Sequence, residues 1–179
     1  ASIGVATCAA TSAVPAPGYG AMIVMLYLAS TIYHSVQGKK KDFFRLIDYL
    51  SIYLMIAGSY TPFALIVLGG AWGWSIFTAI WILAFIGITQ EILIGKKTRK
   101  YSLFIYIVMG WLILVAIKPF INSLPEKGVW WIVTCGMCYT FGIFFFLLDE
   151  KFKHFHGIWH ICVLGGSLCQ FMCLYYYVV

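Results

Sequence analysis

Six apolar stretches follow one another along the chain, at residues 20–37, 46–68, 72–94, 101–117, 129–148 and 157–179, each close to the length that spans a bilayer. The hydrocarbon core is about 30 Å thick, and a helix rising about 1.5 Å per residue crosses it in roughly 20 residues. A helix can cross alone because it satisfies its own backbone N–H and C=O groups where lipid offers them no partner. Apolar residues make up 63% of the 179, charged residues only 10%, and the mean hydropathy is +0.93, a balance that excludes a soluble globular domain. The prediction is an all-α integral membrane protein.

The opening stretch from Ser2 to Val14 is apolar but too short to cross, and reads as the outer part of a first span truncated at its N-terminal end, which makes seven spans. It is not a secretory signal, since no basic residue precedes it and the first Lys or Arg is Lys39. Pro15, Pro17 and Gly18 mark the first turn. Gly38 to Asp42, Gly69 to Gly73, Gly95 to Lys100, Lys118 to Gly128 and Asp149 to Phe155 mark the others. With no internal repeat and no room for a soluble domain, residues 1–179 are expected to form one seven-helix membrane domain.

Lys and Arg in short loops are retained on the cytoplasmic side. Lys39, Lys40, Lys41 and Arg45, then Lys96, Lys97, Arg99 and Lys100, then Lys151 and Lys153 fall in alternate loops, so ten of the twelve basic residues share one side. Only Lys118 and Lys127 fall on the other, where Tyr19, Trp72, Trp74, Trp130, Trp131 and Tyr175 to Tyr177 gather. This predicts an N-terminus inside and a C-terminus outside. The net charge of +6 is then a topology signal and a contact for anionic lipid, not a nucleic-acid surface.

Ionisable groups inside a membrane span are costly, roughly 2.5–3.5 kcal/mol for a central Asp on insertion scales, so each asks for a reason. Ser30 and His34 lie four apart near the cytoplasmic end of the second span, on one helix face. Asp48 lies about 9 Å inside the start of the third. His156 and His160 open the seventh span and also share a face. Three helices thus present three imidazoles, one carboxylate and one hydroxyl at a common level. Three His nitrogens and a water make an open tetrahedral zinc site, in which the water is activated and a carbonyl can be polarised. An isolated HxxxH is a weak signal; its shared level with His34 and Asp48 is what points to a metal. Gly157 follows His156, so the HExxH pattern is absent, and Asp48 is the available general base. Ser30 fits helix packing as well as a role at the metal.

The ordered set Ser30-Thr31-Ile32-Tyr33-His34, Asp48, Gly58-Ser59-Tyr60-Thr61-Pro62-Phe63 and His156-Gly157-Ile158-Trp159-His160 closely resembles the hemolysin III family of bacterial membrane proteins. That family is similar in turn to the progestin and adiponectin receptors and, more distantly, to alkaline ceramidases. The resemblance implies a seven-helix fold in the bacterial cytoplasmic (inner) membrane and a zinc ion on His34, His156 and His160, with Asp48 and Ser30 beside its water.

The other polar groups carry less. Cys135 and Cys138 form CxxC away from the histidines and read, with Cys8, Cys162, Cys169 and Cys173, as small buried hydrophobes. Glu91 reads most simply as a boundary carboxylate paired with Lys96 and Lys97, with a place lining the same cytoplasmic mouth as the alternative. Asp149, Glu150 and His154 read as solvated loop residues, and Pro62 as a kink. No lysine lies in residues 156–179, which argues against a retinal linkage, and a bis-histidine haem between His34 and His160 leaves Asp48 unexplained. The leading functional expectation is a zinc-dependent hydrolase of a lipid amide or ester bond, with Asp48 handling the proton and Ser30 the developing oxyanion. Membrane lipids are the expected substrate or ligand. The alternatives are a pore-forming cytolysin, and a sensor or lipid-homeostasis protein in which zinc is structural.

Overall fold

The computed structural model describes residues 15–94 and 99–178, and every regular element among them is helical. Helix α1 is Pro15–Ser35. A short 3-10 turn, Gly38–Lys40, leads into α2, Lys41–Pro62, which runs on as a π-helical stretch, Phe63–Leu68. Then follow α3, Gly70–Ile94, and α4, Arg99–Trp111, continued by a 3-10 segment, Leu112–Ala116, and by α5, Ile117–Ser123. Two helices close the chain, α6, Glu126–Leu148, and α7, Phe155–Tyr177. The expected first span, Ser2–Val14, and the Lys96–Lys97 pair lie outside the described residues.

Five helical stretches are long and apolar enough to cross a membrane: Gly38–Leu68, Gly70–Ile94, Tyr101–Ser123, Glu126–Leu148 and Phe155–Tyr177. Helix α1 is 21 residues long, and its last turns carry Ser30, Thr31, Tyr33, His34 and Ser35. Two of those hydroxyls are satisfied within the helix, Thr31 on the Tyr27 carbonyl and Ser35 on the Thr31 carbonyl, each at 2.7 Å.

Two expected connections are corrected. The turn placed at Pro15 to Gly18 is the first turn of α1, where a proline suits the helix start. The loop placed at Lys118 to Gly128 is mostly helix, interrupted only at Leu124 and Pro125. Pro119 falls in the first turn of α5, where its missing N–H matters least. Pro62 has the expected effect: the π-helical stretch begins directly after it, and Gly69 N–H reaches back five residues to the Ala64 carbonyl at 3.0 Å. Gly69 and Gly70, at φ 57° and 50°, then reverse the chain into α3 in a left-handed conformation that side chains disfavour.

The chain falls into two compact units, one reaching to Phe120 and one from Ile121. In the first, Tyr53 and Ala57 of α2, Ile80 and Ala84 of α3 and Met109 of α4 form a buried cluster. Gly87 lies against the Tyr53 ring so closely that a Cβ there would collide with it. On the other side, the Tyr106 ring sits 4.5 Å from that of Tyr53. Helices α1 and α2 are also close, since a Cβ on Gly58 would come within 2.8 Å of Met22 Cγ.

In the second unit α6 and α7 pack through small residues, as membrane helices do. A Cβ on Gly142 would meet Cys162 at 3.1 Å, and one on Gly166 the Tyr139 ring at 2.8 Å. The Tyr139 and Ser167 hydroxyls lie 3.1 Å apart, and the Cys173 thiol donates to the Gly128 carbonyl at 3.4 Å. The described cysteines are all free; Cys135 and Cys173 are buried and Cys138, Cys162 and Cys169 half-buried.

Candidate metal centre

The second unit carries the better-formed half of the predicted site. His156 and His160 are four positions apart on a helix, so both imidazoles leave α7 on one face. Their Nε2 atoms face each other at 3.2 Å, with ring centroids 4.8 Å apart. Trp159 fixes both rings from the side, its own centroid lying 5.2 Å from that of His156 and 4.5 Å from that of His160. On the far side of His156, Nδ1 meets Asp149 Oδ2 at 2.9 Å. An imidazole that donates from Nδ1 to a carboxylate keeps its lone pair on Nε2, the atom turned toward His160.

This donor set fits a zinc ion. Two nitrogens each about 2.0–2.1 Å from a tetrahedral zinc stand about 3.3–3.4 Å apart, and the two Nε2 atoms are at 3.2 Å. Zinc-ligating histidines also characteristically donate their other ring nitrogen to a carboxylate, the part Asp149 fills.

Asp149 is a residue that sequence reasoning missed. Expected as a solvated loop side chain, it is only 7% exposed and paired with His156. The turn after α6 brings it there, with the Lys151 and Phe152 N–H groups both on the Leu148 carbonyl, at 3.0 and 3.2 Å. The available signal was a carboxylate one tight turn ahead of an HxxxH pair. Glu150 and His154 are exposed, as expected.

The first unit carries Ser30, His34 and Asp48. Ser30 is half-buried and His34 exposed near the end of α1, one turn apart on one face. Asp48 is 6% exposed on α2. Starting from the Met22–Gly58 contact, ten residues onward along α1 is Ile32 and ten residues back along α2 is Asp48. The two helices rise equally and run antiparallel across a short turn, so Asp48 stands at a level between Ser30 and His34.

Glu91 is the second correction. It is fully buried on α3, where it accepts from the Ser102 hydroxyl of α4 at 2.6 Å and pairs with the Arg45 guanidinium of α2 at 3.5 Å; the lysines expected as its partners lie outside the described residues. This cluster ties three helices of the first unit together and stands apart from the predicted ligands in sequence.

The chain matches the haemolysin-III related family over residues 2–171. It belongs to that family. Among curated relatives of the haemolysin-III family, Hemolysin-3 of Bacillus cereus is 44% identical over 162 residues, covering 90% of this chain and 74% of that protein. The Hemolysin-3 homolog of Bacillus subtilis strain 168 is 41% identical, with 90% and 76% covered. The human monocyte to macrophage differentiation factor is 27% identical, with 89% and 68% covered. No solved structure matches. Family and helices together make this a multi-pass integral membrane protein.

Proposed function

We propose that this haemolysin-III family member is a zinc-dependent hydrolase that cleaves an amide or ester bond of a lipid in the bacterial inner membrane. It would do so as a single seven-span bundle with its N-terminus inside. The observation that carries the reading is the pair of Nε2 atoms on His156 and His160, facing each other with Asp149 behind the first. His34 is the third ligand in this proposal.

A zinc ion held there would bring a water's pKa to about 7 and polarise a carbonyl oxygen. Asp48 takes the proton of the attacking water and returns it to the leaving group, a task suited to a carboxylate placed beside the ligands without being one. Ser30, a turn before His34, donates a hydrogen bond to the oxygen on which charge develops. Ser30 lies five residues before the end of α1 and Asp48 seven after the start of α2, a depth that in this proposal is near the boundary between headgroup and acyl chain. A lipid's amide or ester bond lies at that depth while its chains stay in hydrocarbon.

The Bacillus relatives are called hemolysins, so a cytolytic pore is the competing reading, and a sensor with structural zinc the third. Purified protein should hold about one zinc per chain, lost from His156→Ala and His160→Ala variants. Asp48→Asn should keep the zinc and the fold and lose turnover on lipid amides and esters by roughly 10²–10⁴-fold. Zinc kept in the double histidine variant would defeat the metal assignment. Liposome leakage that survives Asp48→Asn, with no hydrolysis across ceramides, phospholipids and acyl esters, would establish the pore instead.

A further inference from the structure

The α1–α2 pair carries a feature that the zinc reading does not use. An apolar groove of about 540 Å³ runs along it from Gly20 to Ile32 on α1, with Phe44 and Ile47 of α2 at its head. Twelve residues of helix make it about 18 Å long, close to the depth of one leaflet, half of an approximately 30 Å core. Directly above its head the chain turns through Gly38, at φ 79°, and presents Lys39, Lys40 and Lys41, all exposed, against one carboxylate, Asp42. Lys41 precedes Phe44 by three residues on α2, the spacing that puts it on the groove's face of the helix, and Lys40 ends the 3-10 turn directly before it. The Lys41 ammonium is steadied 5.7 Å over the Tyr33 ring.

We propose that this groove and the lysine turn above it form a binding site for one anionic phospholipid, independent of the zinc centre. The phosphate sits against Lys39, Lys40 and Lys41, and one acyl chain lies along the groove past Ile32 and Leu28 toward Gly20. Charge complementarity selects this occupant: a helix of a second copy would fill the apolar length but has no use for three cations at its head. Each lysine near a membrane surface contributes to the retention of anionic lipid and not of zwitterionic lipid. The apolar length sets affinity for the chain whatever the headgroup. The two parts therefore answer to different substitutions.

The test is native mass spectrometry of the full chain, titrated with phosphatidylglycerol and phosphatidylcholine of identical acyl chains. The wild type should carry one phosphatidylglycerol in preference to phosphatidylcholine, and Lys39→Gln/Lys40→Gln/Lys41→Gln should lose that preference by on the order of ten- to hundredfold. Gly20→Leu/Ala21→Leu fills the far end of the groove, where a Cβ on Gly20 meets nothing within 4 Å. That variant should weaken both lipids alike while keeping zinc content and thermal stability. Preference intact in the lysine variant would overturn the proposal. So would undiminished lipid in the groove variant, or a change of that variant from oligomer to monomer with its lipid unaltered.

Discussion

At the scale of single residues, the two C-terminal histidines were legible because a helix fixes the geometry of an i,i+4 pair before any fold is known. Asp149 was not, because its approach to His156 depends on a turn whose course no periodicity encodes. Its role gives a sharp expectation. Asp149→Asn keeps the shape but not the charge behind Nδ1, so zinc affinity should fall about 10–100-fold, the usual effect of losing such a partner. His154→Ala, one exposed position before α7, should change nothing. Graded chelator competition on purified protein reads both; equal zinc retention in Asp149→Asn and wild type would remove Asp149 from the centre. Glu91 escaped for a related reason, since its partners Arg45 and Ser102 lie on two other helices and only the packing of all three brings them together.

At the scale of helices, hydropathy located the spans but not their ends. The apolar run marks what lies in hydrocarbon, whereas the helix continues until its backbone meets a turn, so α5 and the start of α6 occupy what reads as a loop rich in Lys, Pro and Gly. Close contacts between helices were equally hidden, because a glycine that admits an aromatic ring looks in sequence like any other. Gly87 is the case to test. Gly87→Ala drives a methyl into the Tyr53 ring and should destabilise the protein by about 1–3 kcal/mol, typical of overpacking. Tyr53→Leu in the same chain should recover part of the loss, while Tyr53→Phe, which leaves the ring in place, should not. Thermal denaturation in detergent measures all three, and a Gly87→Ala protein as stable as wild type would mean that the α2–α3 contact is looser than described.

At the scale of the whole molecule, the family and the helical character were readable from the sequence, and the sidedness rests on the distribution of charge. A reporter fused after Val179 should report the outside, and labels placed at Lys40, Lys97 and Lys151 the cytoplasm. A C-terminal reporter found inside together with those loops would reduce the span count by one. One turn bears on how such a chain is made. Between the π-helical end of α2 and the start of α3 the backbone has only Gly69 outside a helix. A connection that short cannot reach across a bilayer, so α3 cannot wait on one side while α2 is settled in place. The two helices are then expected to enter the membrane as a hairpin.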